Sequence, residues 1–208
     1  MPERELAQLA GLGWLAKNTM LIHPKLGSFT FIGVLLTDLE LAPDAPYAAD
    51  RCGTCTRCLE ACPTQAFVEP HVLDATRCIS YLTIEARHDV PPEHRSGLGD
   101  NLFGCDICQD VCPWNERFAS ATAEPGFQPK PGNAWPSLEE ILAMREADFE
   151  ARFGDTALER AGLSGLQRNA RVVLENRQAL SGPASAPAPS ARAGNASESV
   201  HPKLPRRD

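Results

Sequence analysis

Apolar positions along the first 180 residues change period several times, and each change predicts a different element. In "PERELAQLAGLGWLAKNTMLI" Leu6 and Leu9 share one helical face until Gly11 and Gly13 interrupt the pattern, so a helix should end there. "FTFIGVLLTDLEL" follows, dense in branched and aromatic residues. It predicts a buried strand with Phe29, Phe31, Val34 and Leu36 as wall residues. From Ala75 to Arg87 the spacing is again helical, with Ile79, Leu82 and Ile84 on the apolar face and Cys78, Tyr81 and Glu85 along one side. Tyr81 and Glu85 read equally as a half-buried ring and a surface charge, or as the lining of a cofactor pocket.

Further along, "WPSLEEILAMREADFEARF" places a capping box, Ser137 and Glu140, at the head of an apolar face made by Leu138, Ile141, Leu142 and Phe149. "LQRNARVVLEN" offers Leu166, Ala170, Val173 and Leu174 in the same manner. Two amphipathic helices cannot bury their faces alone, so they should pack on the preceding part or stack with further helices. From Ser181 the pattern is lost. "SGPASAPAPSARAGNASESVHPKLPRRD" is mainly Pro, Ala, Ser and Gly, too poor in large apolar groups to offset the entropy of ordering. A disordered tail is expected, with the packed core ending near Leu180.

Composition narrows the function classes. At 208 residues and 43% hydrophobic, the chain can bury one or two real cores. No apolar run approaches the roughly 18 residues of a membrane span, and "MPERELAQLAGLGW" lacks the pattern of a secretory signal. A reducing cytoplasm is therefore expected, where cysteines are rarely bridged. The net charge of −7 argues against a broad basic face for nucleic acid. Arg145, Arg152, Arg160, Arg168, Arg171 and Arg177 do gather late in the folded part; they read as solvated charge, with phosphate contact as the minority alternative.

The eight cysteines carry the chemistry. Cys52, Cys55, Cys58 and Cys62 form C-x2-C-x2-C-x3-C, and Cys105, Cys108 and Cys112 form C-x2-C-x3-C, each group ending in Cys-Pro; Cys78 stands between them. In two-cluster ferredoxins the cysteine before the proline ligates the other group's cluster. Applied here, Cys52, Cys55, Cys58 and Cys112 hold the first 4Fe–4S cluster. Cys62, Cys105 and Cys108 hold the second and need a fourth ligand, for which Cys78 alone remains. Two intervening residues aim successive sulfurs at one cube, and the proline turns the last cysteine away from it. Zinc is the rival, since C-x2-C pairs also build tetrahedral sites, but a triple C-x2-C-x2-C and Cys-Pro endings have no zinc rationale.

"GLGWLA" at Gly11 to Ala16 matches a loose dinucleotide fingerprint, with Asp38 in its acidic position. That motif needs a strand in front and a helix behind, whereas a helical pattern precedes it. The glycines more simply permit a tight turn or a close backbone approach, and Asp38 reads as a turn residue.

Taken together, "AGLGWLAKNTMLI", "GSFTFIGVLLTDLEL", "CGTCTRCLEACPTQAF", "DATRCISYLTIE" and "GCDICQDVCPWN", with the distances between them, resemble the epoxyqueuosine reductase family. The resemblance runs from Glu3 to Asn115 and more weakly to Asn176. It implies an iron–sulfur and cobalamin-dependent oxidoreductase that reduces epoxyqueuosine to queuosine at the wobble position of tRNA. It also implies an α+β fold: a remnant of an α/β cobalamin-binding domain over 1–47, a ferredoxin-like bicluster domain over 48–118, a helical, HEAT-like segment over 119–180 and the tail over 181–208. Two 4Fe–4S clusters and cobalamin would be the cofactors, tRNA the substrate, and a flavodoxin- or ferredoxin-like protein the external electron donor of a cytoplasmic monomer. By the same resemblance Trp14, Lys17, Thr19, Tyr81, Glu85, Gln109 and Asp110 would touch the corrin. Family members carry an acidic proton donor a few positions before the segment that begins here at Pro2. Its counterpart would fall before Met1, so an N-terminally truncated member is expected, with no catalytic acid assigned. A free-standing bicluster electron carrier would share the cysteines, but it has no need of "AGLGWLAKNT" or of the "ISYLTIE" helix. A corrinoid dehalogenase would share the cofactor pair, but is usually exported behind a signal peptide.

Overall fold

The computed structural model describes residues 2–181. Met1 and, apart from Ser181, the expected tail lie outside the described residues. Helix α1 (Glu3–Leu9) carries Glu3 and Glu5 in its first turn, where negative charge suits the helix dipole. It stops where the glycines predict. Strands β1 (Trp14–Leu15) and β2 (Leu21–Ile22) then form an antiparallel hairpin that pairs Trp14 with Ile22. Gly13 makes this possible, because a Cβ there would lie 2.1 Å from the Ile22 carbonyl oxygen. Helix followed by hairpin is the reverse of the order a dinucleotide fingerprint needs.

The strand expected over 29–41 does not form. Phe31, Leu35 and Leu36 are 87%, 89% and 79% exposed, and none of the described residues pairs with the segment. Its composition suits a strand, but strands are stable only within a sheet, and nothing described offers it a neighbour.

Two short helices, α2 (Arg57–Glu60) and α5 (Ile107–Asp110), pack together and carry the two cysteine groups. Between them lie the hairpin β3 (Phe67–Glu69) and β4 (Val72–Leu73), helix α3 (Ile79–Ile84) and helix α4 (Pro92–Leu98); α6 (Pro113–Phe118) follows α5. The helix expected from Ala75 to Arg87 is divided. A 3-10 turn over Ala75–Arg77, capped by the Asp74 side chain, gives way to extended backbone at Cys78 before α3 begins.

The later helical stretch also divides. Helices α7 (Leu138–Ala143) and α8 (Glu146–Phe153) are separated by extended backbone at Met144 and Arg145. Half of the capping box forms: the Glu140 N–H donates to Ser137 Oγ at 3.4 Å, while the Glu140 carboxylate faces Arg152 instead of turning back. Helix α9 (Gly162–Ser181) is the spine. Leu163, Leu166, Ala170 and Val173 pack with Ile141, Phe149 and Phe153, and Val172 joins Ile79, Leu82 and Leu98. The helical stretches thus pack back onto the cysteine-bearing part. No helix among the described residues is long and apolar enough to cross a membrane.

Candidate metal and cofactor centre

Short turns present the cysteines. The Cys55 N–H donates to the Cys52 carbonyl at 3.1 Å, and the Cys52 N–H donates to Asp50 Oδ1 at 2.8 Å. Cys58 lies on α2 and Cys108 on α5, while Cys112 precedes Pro113 at the start of α6. The turn of the β1–β2 hairpin fastens both groups. Lys17 Nζ donates to the carbonyls of Gly53 and Cys55 at 2.6 and 3.0 Å, and Asn18 Nδ2 donates to the Cys108 carbonyl at 3.1 Å. Ser80 fixes Cys105 twice, donating to its carbonyl and accepting from its N–H.

These contacts create two separate cysteine-lined cavities. Cys52, Cys55, Cys58 and Cys112 face one of about 200 Å³, with Ala16 and Trp114 in its wall. Cys62, Cys78, Cys105 and Cys108 face a smaller, almost wholly apolar one, closed by Phe67 and Leu73. All eight cysteines are free thiols. Burial pushes Cys52, Cys58 and Cys105 up, and pushes Cys108, which also has Cys105 and Cys78 beside it, to about 12. The Trp14 N–H beside Cys52 works the other way, favouring its thiolate. Among the described residues no three His, Cys, Asp or Glu side chains converge on a single-ion position. Four thiols spaced around a cavity suit a larger, thiophilic group, and the donor set is that of iron–sulfur clusters.

A third concavity, of about 300 Å³, adjoins the second quartet through Cys78, Cys105 and Cys108. Thr19, Tyr81, Glu85 and Gln109 line it together. Gln109 is held at both ends, its Nε2 donating to Asp106 Oδ1 and its Oε1 accepting from Ser28 Oγ. Arg160 Nε holds Glu85 at 2.5 Å. Sequence reasoning missed Arg4, whose Nη1 donates to the Thr19 carbonyl and hydroxyl at 2.6 and 3.2 Å from across the concavity. Thr19, a non-glycine residue with φ of +63°, marks the turn that brings them together. A lone arginine on an amphipathic helix gave no signal of this. The acidic residue expected before Met1 falls outside the described residues, and no carboxylate of the concavity is assigned its role.

Three residues expected at the corrin lie apart from this concavity. Trp14 is 1% exposed and belongs to the core beside the first quartet, with Cys52 and Cys112. Lys17 is occupied on the Gly53 and Cys55 carbonyls. Asp110 sits on the exposed side of α5. For Trp14 and Lys17 the reason is shared: the β1–β2 turn reaches the Gly53 and Cys55 carbonyls through Lys17 and the Cys108 carbonyl through Asn18, so neighbours in sequence face different sides. The late arginines are mostly engaged. Arg145, Arg152, Arg160 and Arg177 pair with carboxylates, and Arg168 donates to the Leu82, Ala86 and His88 carbonyls.

Residues 51–115 match the family described as "4Fe-4S double cluster binding domain". The chain is 48% identical over 177 residues to the epoxyqueuosine reductase of Synechocystis sp., covering 83% of this chain and 60% of that protein. It is 43% identical over 174 residues to that of Escherichia coli, covering 84% of this chain and 45% of the relative. A crystal structure of epoxyqueuosine reductase with an epoxyqueuosine-modified tRNA stem loop superposes with a TM-score of 0.79 at 40% identity, over 84% of this chain and 46% of the other. The Bacillus subtilis enzyme superposes with a TM-score of 0.77 at 39% identity, over 86% and 47%. The chain spans about half the length of these relatives, 45% to 60%. With the double-cluster domain at its centre and this continuous likeness on either side of it, the chain is similar to epoxyqueuosine reductases over 83% to 86% of its own length.

Proposed function

We propose that the chain forms the iron–sulfur and cofactor-facing part of an enzyme that reduces epoxyqueuosine in tRNA to queuosine. In this reading Cys52, Cys55, Cys58 and Cys112 ligate one 4Fe–4S cluster, and Cys62, Cys78, Cys105 and Cys108 the other. The observation that carries it is the pair of cavities, each faced by four thiols drawn from both cysteine groups. A cobalamin would lie against the concavity lined by Thr19, Tyr81, Glu85 and Gln109. Residues 1–47, 48–118 and 119–180 would then serve as cofactor-facing, cluster-binding and helical parts. A flavodoxin- or ferredoxin-like protein would supply electrons to a cytoplasmic monomer, and the tRNA would be the substrate.

When bound, the clusters and the corrin cobalt would supply the low-potential, two-electron reduction that turns an epoxide into an alkene. The chain's own residues supply the surroundings. The cysteines would bind as thiolates, and burial that pushes up Cys52, Cys58, Cys105 and Cys108 makes metal loading release protons from them. Gln109 and Glu85, each fixed by a neighbour, are oriented polar groups that would help to hold a corrin. Phe67 and Leu73 keep water from the second quartet.

The test is anaerobic reconstitution with iron and sulfide, followed by addition of cob(II)alamin and epoxyqueuosine-containing tRNA. Cobalt retained on gel filtration, together with queuosine formation, supports the whole reading. Full iron without cobalt or turnover reduces the chain to an electron-transfer part.

A further inference from the structure

Trp14 is 1% exposed, and its indole N–H, which leans toward the Cys52 thiol and favours its thiolate, is the sole buried side-chain nitrogen or oxygen among the described residues with no partner at hydrogen-bond distance. An indole N–H is only a donor, so no tautomer or flip removes the problem. Buried donors are left unpaired rarely, and an orphan calls for an acceptor. The ring cannot swing elsewhere. Its backbone is paired to Ile22, Trp114 meets it edge-on at 4.8 Å, and Tyr47 stacks on it at 5.8 Å. It shares one core cluster with Cys112 and Cys52, two cysteines of one quartet contributed by two different loops, and of these its N–H acts on Cys52.

We infer that the Trp14 indole N–H donates a hydrogen bond to sulfur of the cluster held by Cys52, Cys55, Cys58 and Cys112, making Trp14 the residue that sets that cluster's reduction potential apart from its neighbour's. This rests on the proposed ligand sets. A cluster gains negative charge on reduction, and a hydrogen bond to its sulfur stabilises the reduced form more than the oxidised one. The second quartet has a different supply. There the Ala66 backbone N–H donates to Cys62 Sγ at 3.3 Å, Thr64 Oγ1 lies 3.7 Å from the same sulfur, and among the described residues that line the cavity there is no indole. The two sites, alike in ligands, would therefore differ in potential, with the Trp14 side shifted upward.

The experiment compares the reconstituted wild-type chain with Trp14→Phe, which keeps an aromatic ring and deletes the donor. In an EPR-monitored redox titration, the reduced-to-oxidised ratio of one cluster at fixed potential should fall about tenfold, or roughly 59 mV for one electron. The other cluster should not move. A second measurement needs no variant. In wild-type chain labelled with 15N in the indole ring, pulsed EPR of the reduced protein should show coupling to an indole nitrogen, and Trp14→Phe should remove it. Unchanged potentials, or no indole coupling, with iron fully loaded would overturn the inference while leaving the ligand sets standing. Coupling that survives Trp14→Phe would overturn it too, transferring the donor role to Trp114. A chain that takes up no iron would overturn both the inference and the reading beneath it.

Discussion

Asn169 is fully buried on α9, and its Nδ2 donates to the Thr83 and Leu102 carbonyls at 2.8 and 2.9 Å. Its Oδ1 accepts from Arg168, which also donates to the Leu82 carbonyl of α3 and to the Ala86 and His88 carbonyls beyond it. Replacing Asn169 by Leu leaves those groups buried and unpaired, so it should cost about 2–4 kcal/mol in urea unfolding. Cys108 makes a second prediction at this scale. With its thiol pushed up to about 12 by burial and neighbouring thiols, it stays protonated at pH 8. Alkylation of the metal-free chain should be slower there than at a thiol of ordinary pKa, by less than the roughly thousandfold deficit in thiolate because the more basic thiolate is the better nucleophile, read by mass spectrometry of the modified peptides. The grouping of the cysteines was legible in the sequence, because spacing and Cys-Pro endings encode which thiols face one cavity. The side of the turn taken by Trp14 and Lys17 was not. It depends on Gly13 letting two strands approach, and no local pattern reveals which face each neighbour then takes.

At the scale of elements, periodicity found α1, α3, α7 and α9 but not their breaks. The break at Cys78 arises where the Asp74 side chain satisfies a local turn, and that between α7 and α8 falls at Met144 and Arg145. The apolar run over 29–41 shows the limit of composition: it reads as a strand, and a strand needs a partner. Leu35→Lys with Leu36→Glu should therefore shift the unfolding free energy of this chain by no more than about 0.5 kcal/mol. A larger loss would mean that the segment is buried in solution. The β1–β2 hairpin behaves oppositely. Gly13→Ala would place a methyl group against the Ile22 carbonyl and should destabilise the chain by about 1–3 kcal/mol, loosening the Lys17 and Asn18 clamps on both cysteine loops.

Across the whole molecule, one long helix ties two jobs together. Helix α9 packs against the α7–α8 layer on one side and against α3 and α4 on the other. The concavity with Tyr81 and Glu85 is thereby braced from behind by the helical part, through Arg160 on Glu85 and Arg168 on the carbonyls beyond. The β1–β2 turn lines the first cysteine cavity and the concavity, and it is the second cavity that shares its cysteines, Cys78, Cys105 and Cys108, with that concavity. The measurement that bears most directly on this arrangement is metal content after anaerobic reconstitution, in the wild-type chain and in Cys58→Ser and Cys78→Ser. Two 4Fe–4S clusters predict about eight irons per chain in the wild type, no zinc, and a loss of about four in each variant. Zinc in place of iron, or a single variant that abolishes all binding while the chain stays folded, would contradict two independent quartets.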